Sequence, residues 1–156
     1  MVVILFSFSI AYAQKQKSQE LTDINLSFVQ TAKSGTLKAI SDKPGYYTLT
    51  LEDVGPYISY LSERPNRIKG IVPTEKFIQT WGVGNNSFAA NNPNGVIIPA
   101  LVDGVTNKST VFYTITLSSP QFNQKQFTVR YIVKLILSQQ FFYKHIHFDH
   151  VILLIN

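Results

Sequence analysis

The 156-residue chain contains no cysteine. That excludes a disulfide scaffold, a thiolate metal site and thiol catalysis. Charged residues are scarce too, at 15%, while 45% of residues are hydrophobic and 13% aromatic. A disordered chain is thereby excluded, because it would be too poor in apolar surface to offset its ordering entropy. Fourteen Lys and Arg face nine Asp and Glu, a net charge of +5, which permits an anionic partner without requiring one. The basic residues are scattered and form no stripe, so nucleic-acid binding is disfavoured. No G-x-S-x-G serine motif occurs, and the three histidines all fall between positions 145 and 150. The chain length suits a single domain.

At the start, Val2 to Ile10 is an apolar run followed by Ala11-Tyr12-Ala13. The run has the length of a signal-peptide core and the triplet has the small-x-small form of a cleavage site, although no Lys or Arg precedes them. It is too short for a membrane helix, which needs roughly 20 apolar residues. The expected organisation is a signal peptide over 1–13, a flexible mature N-terminus over 14–20, and a domain over 21–136. The product is then exported, periplasmic or secreted, with no membrane span after cleavage.

Between the ends the periodicity is that of strands. Ile24, Leu26 and Phe28 alternate with polar neighbours, and Thr36 to Ile40 resumes the alternation after an expected turn at Lys33-Ser34-Gly35. Lys43-Pro44-Gly45, Asp53-Val54-Gly55-Pro56 and Asp103-Gly104 are further turn signals. Strands are expected over 46–51, 57–61, 96–102, 110–117 and 126–136. Pro73 to Trp81 reads as a short helix, with Pro73 near its first turn, Gly82 beyond its end, and Phe77, Ile78 and Trp81 on one face. About seven strands, one inserted helix and no βαβ rhythm predict a mainly β fold: an antiparallel β-sandwich of Ig-like architecture.

The most informative segment is Tyr57 to Gly70. Pro65 biases Arg64 towards an extended backbone, so that Arg64, Arg67 and Lys69 project from one turn near Tyr60 and Trp81. Arginine stacked on an aromatic and free to pair through its fork is a usual way to hold a carboxylate or phosphate. Arginines beside a proline turn also brace loops, here against Glu63, Glu52 or backbone carbonyls, and Trp81 with Phe77 suits a helix footing in the core. The motif Tyr60-Leu61-Ser62-Glu63-Arg64-Pro65-Asn66-Arg67, then Trp81, Phe88, Asn92-Pro93-Asn94 and Asp103-Gly104, resembles a group of small exported bacterial proteins of unknown function. The resemblance spans about Thr36 to Leu135. It implies a domain and an exported setting but no activity.

The other end is unusual. His145-Ile146-His147-Phe148-Asp149-His150 matches the H-x-H-x-D-H signature of the metallo-β-lactamase fold. In that family the first two histidines hold one metal, and the Asp and last histidine hold a second. The family's further ligands lie on later strands, whereas only Val151 to Asn156 follow here and no other histidine exists in the chain. Residues 137–156 are therefore expected to be an atypical tail, either an extra strand or the product of a misread gene end.

These observations lead to a non-enzymatic, exported binding or structural domain of the bacterial envelope, with no cofactor. Its contact residues are expected to be Tyr60, Arg64, Arg67, Trp81 and Asn94, facing an envelope protein or an anionic small ligand. The alternative is a metal-binding protein or metal-dependent hydrolase, with zinc on His145, His147, Asp149 and His150. Glu52-Asp53 is a poor acid–base pair, since neighbours in a regular strand point to opposite faces.

Overall fold

The computed structural model describes residues 25–102, 112–136 and 144–156. The expected signal peptide over 1–13, the expected flexible segment over 14–20 and the expected Asp103-Gly104 turn lie outside them. In chain order the elements are β1 (Leu26–Ala39), β2 (Tyr46–Val54), β3 (Tyr57–Ser62), β4 (Lys69–Pro73), α1 (Thr74–Gln79), β5 (Asn94–Val102), β6 (Tyr113–Asn123), β7 (Thr128–Leu135) and β8 (His145–Ile155). Every strand pairing is antiparallel. The order β1-β2-β7-β6-β5-β8 returns to β1, so six strands close into a barrel from which the β3–β4 hairpin extends. The mainly antiparallel β expectation holds. The two separate layers of a sandwich do not form, because β8 joins the edges that two layers would leave open.

The expected domain end at 136 is corrected by the same strand. β8 lies between β1 and β5 and pairs with both (Gln30↔Leu153↔Ile97, for example). Its Phe148, Leu153 and Ile155 are fully buried. Residues 145–155 are the extra strand of the two expectations for the tail, and it sits inside the barrel wall. The three histidines obscured it: the tail's inner positions Ile146 and Phe148 alternate with His145 and His147 as a strand requires.

A second correction concerns Lys33-Ser34-Gly35. β1 runs through these residues without turning. What changes there is the pleat. Buried positions are 30 and 32 before this point, 35 and 37 after it. β2 switches between Leu51 and Val54, and β8 between Phe148 and Val151. The three switches are in register, since Ala32 pairs with Val54 and Val151, and Gly35 with Leu51 and Phe148. Left-handed backbone at Asp53 (φ 52°) and His150 (φ 50°) produces the switch on two of the strands. Two consecutive residues on each strand therefore face outward: Lys33-Ser34, Glu52-Asp53 and Asp149-His150. The rule that placed Glu52 and Asp53 on opposite faces fails at this irregularity.

β2 and β3 form one line along β1. β2 pairs with its second half, and β3 with its first. Gly55-Pro56 is the break, held by Gly55 N–H donating to the Thr31 carbonyl (3.0 Å) and by Thr74. Thr74 donates its hydroxyl to the Gly55 carbonyl (2.7 Å) and its N–H to the Pro56 carbonyl (2.9 Å). That anchors α1 over one barrel end. Pro73, with extended backbone, precedes the helix as expected. Phe77 and Trp81 then insert, with Ile78 and Phe88 packed against the same core. Close packing inside leaves no room at Gly95, where an added Cβ would lie 2.6 Å from Leu117 Cδ1 and 2.7 Å from the Leu154 carbonyl oxygen.

Phe148→Ala should cost about 3–5 kcal/mol in urea unfolding, the range for deleting a buried aromatic. Deleting 144–156 should abolish the cooperative transition altogether, because both β1 and β5 lose a partner. A truncated chain that still unfolds cooperatively with the parent's midpoint would contradict the closure.

Candidate functional site

The expected contact residues share one end of the molecule but do not converge. Leu26 pairs with Ser62, Phe28 with Tyr60 and Ile155, and Gly95 with Ile155. The start of β1, the end of β8, the start of β5 and the hairpin therefore meet at this end. Within it the five residues divide.

Arg64 and Arg67 stand at the tip of the β3–β4 hairpin. The chain reverses there through a cis Arg64–Pro65 peptide and left-handed Arg67 (φ 51°). Ser62 fixes the turn from its base: its N–H donates to the Ile68 carbonyl and its Oγ accepts from Ile68 N–H, both at 2.8 Å. Neither arginine side chain pairs with Glu63, Glu52 or any other described residue. Both are exposed. With Lys69 and Glu63 they line a shallow concavity of about 720 Å³. Main-chain bonds and the Ser62 hydroxyl hold the turn, so bracing by the arginines is not seen.

Trp81 is elsewhere in kind. It is 6% exposed, with ring centroids 4.9 Å from Phe88, 5.8 Å from Tyr131 and 5.9 Å from Phe77. It is the footing of α1 in the core. Tyr60 faces inward as well and lays its ring over Gly70, its cross-strand partner, where even a methyl group would collide with the phenol. Tyr60 and Trp81 do line one feature together, an open groove of about 350 Å³ floored by Phe28, Phe77 and Phe88. Asn94 opens β5, exposed. Its carbonyl accepts from Asn156 N–H (2.9 Å) and its Oδ1 accepts from the Thr116 hydroxyl at 3.5 Å. It ties strand ends together and faces none of the arginines' concavity.

The histidine cluster lies at the opposite half of β8, on its outer face. His145 and His150 are exposed, His147 and Asp149 partly so. His147 Nε2 lies 3.4 Å from Asp149 Oδ1. Among the described residues no three His, Asp or Glu side chains are gathered so as to hold a metal ion. The signature string is present. The loop that follows a strand in the family is here the strand itself, whose extended backbone spreads alternate residues along one face.

Sequence reasoning missed one buried polar pair. Gln30 is fully buried in β1, and its Oε1 accepts from Tyr131 Oη at 2.8 Å, while Gln30 Nε2 has no partner among the described residues. Burial pushes the Tyr131 phenol far above its ordinary range, and the bond to Gln30 offsets only part of that. The signal available was Gln30 itself, a polar residue on the inward parity of Phe28. Family models, curated proteins and solved structures give no match to this chain.

Two outcomes follow. Trp81→Ala should destabilise by about 3–5 kcal/mol, whereas Arg64→Ala and Arg67→Ala should each stay within about 0.5 kcal/mol; urea denaturation separates footing from surface. Because the folded state holds Tyr131 neutral, its stabilisation is complete below the ordinary phenol pKa of about 10 and declines as pH rises beyond it. Tyr131→Phe should cost about 1–2 kcal/mol at pH 7, by orphaning Gln30, and should lose less stability than the parent between neutral and strongly alkaline pH. An identical alkaline decline in both proteins would contradict this.

Proposed function

We propose that this chain is an exported, non-enzymatic binding domain of the bacterial envelope that meets its partner through the β3–β4 hairpin. The observation that carries the reading is the hairpin tip: Arg64, Arg67 and Lys69 are exposed on a turn fixed by Ser62, with no side-chain partner among the described residues. Unpaired cations on a fixed turn are presented at little further ordering cost, which favours recognition. Arginine in particular is enriched at interfaces for its planar fork. Export rests on the apolar run Val2 to Ile10 with Ala11-Tyr12-Ala13, and on the resemblance of residues 60–67 to exported proteins. No helix among the described residues is long and apolar enough to cross a membrane.

A second reading takes an anionic small ligand. The concavity bounded by Arg64, Arg67 and Lys69 favours it, since three cations there face one carboxylate, Glu63. Trp81 and Asn94 leave the contact set in both readings, Trp81 because it is buried and Asn94 because it ties β5 to β8 and β6.

Arg64→Ala/Arg67→Ala, with parent-like circular dichroism and urea midpoint, should no longer capture a partner from periplasmic extract that the parent retains. Unchanged capture would remove the hairpin from the interface. Loss of folding in the double variant would instead make the arginines structural.

A further inference from the structure

The hairpin belongs to a larger outward face. β4, β3, β1, β8 and β5 lie side by side, and their register carries apolar residues across the outer surface. Ile71 pairs with Ser59, Ser59 with Val29, Val29 with Leu154, and Leu154 with Val96. In the next outward row, Tyr57, Thr31, Ile152 and Ile98 follow. Ile71 is 63% exposed, Tyr57 55%, Leu61 45% and Ile152 41%. Apolar residues scattered singly over a surface need no explanation, but an outward band across five strands, interrupted by Ser59 and Thr31, does.

The band is bounded by opposite charges. Beyond Leu61 lie Lys69, Arg64 and Arg67, with Glu63 the one carboxylate among them. Beyond Tyr57, past the Gly55-Pro56 break, lie Glu52 and Asp53, with Asp149 on β8 at the same level and Lys33 on β1 between them, all turned outward by the pleat switch, so that three carboxylates outnumber one lysine. Because β2 and β3 form one line, that line reads acidic, apolar, basic, over about 35 Å at about 3.3 Å per residue. Its midpoint is near Ser59, opposite Val29.

We infer that this face is the interface of a symmetric homodimer, with the two-fold axis crossing the strands near Ser59 and Val29. The inference rests on the binding reading above and names the partner as a second copy of the chain. A two-fold across the strands reverses their direction in the partner. The apolar middle of one copy then meets the apolar middle of the other, and each Arg64–Arg67 tip meets the partner's acidic end. An isologous contact of this kind requires a self-complementary surface, and an acid–apolar–basic line is self-complementary only in this orientation. An anionic lipid surface fits less well: the same face that offers it three cations would press Glu52, Asp53 and Asp149 against its headgroups.

The test is sedimentation equilibrium of the purified chain over a concentration series at low salt. Dimers are expected. Ile71→Asp should raise the dimer dissociation constant about 30-fold or more, since Ile71 lies level with the two-fold and the new carboxylate would meet its own copy across it. Arg64→Glu/Arg67→Glu, and separately Glu52→Lys/Asp53→Lys, should each be monomeric where the parent is dimeric. An equal mixture of the two should recover a heterodimer, since both charge-reversed ends then face their opposites. All variants are first checked for parent-like circular dichroism. A parent that stays monomeric, a dimer indifferent to Ile71→Asp and to both reversals, or a mixture that stays monomeric would overturn the inference. A monomeric chain that still captures a different envelope protein through Arg64 and Arg67 would also overturn it, while leaving the binding reading in place.

Discussion

Unpaired strand edges are the constraint from which the rest of this structure follows. An open antiparallel sheet exposes two rows of backbone N–H and C=O groups, which invite pairing with other chains. Without β8, those edges would be β1 and β5. β8 pairs with both, and once it does so every barrel strand has two neighbours. Closure also sets the interior. It gathers Phe148, Leu153 and Ile155 into one buried cluster with Leu37, Leu49 and Tyr131, and it leaves one mouth to be filled by Phe77, Trp81 and Phe88. At the end of the sheet β4 has a free edge among the described residues; it is five residues long and begins with Lys69 and ends with Pro73, both residues that discourage edge pairing.

Closure has a consequence for the surface. Curving a sheet into a barrel requires local departures from a regular pleat, and here three neighbouring strands depart at the same level. The switch at Lys33, Asp53 and His150 keeps the interior apolar on both sides of it and turns pairs of polar residues outward. Ser34 donates to Glu52 across that band at 3.1 Å. The irregularity that satisfies the core is thus the same one that turns Glu52, Asp53 and Asp149 outward around Lys33, a net acidic level opposite in sign to the hairpin tip.

Much of the fold was legible in the residues. Period-two alternation located the strand at 57–61, β-favouring residues after a turn signal that at 46–51, and an apolar run before Asp103-Gly104 that at 96–102, while the Pro73–Gly82 punctuation located α1 with its inward Phe77 and Trp81. Closure was not legible, because a sandwich and a barrel use the same alternating strands and differ only in which edges pair. The tail was obscured because polar His145 and His147 drew attention from the inward Ile146 and Phe148. Lys33-Ser34-Gly35 carries turn residues, yet Gly35 serves close packing against Leu51 and Val151. Of the candidate site, the exposed turn that carries Arg64 and Arg67 was recoverable from the Arg-Pro pair. Trp81 was legible both as a contact residue and as the helix footing, and it is the footing; Tyr60 turns inward, since an aromatic near a cation in sequence carries no information about which face of a strand it occupies. Gln30 and Tyr131 are 101 positions apart, a contact that only tertiary structure brings about.

Amide hydrogen exchange of β8 tests the central feature most directly. If the strand closes the barrel, the amides of Val151 to Ile155 exchange only through global unfolding and rank with those of β2 and β7 as the slowest in the chain. Exchange as fast as that of the projecting β4 strand would mean that β8 detaches locally, and the barrel would have to be redrawn as an open sheet with a loosely docked tail.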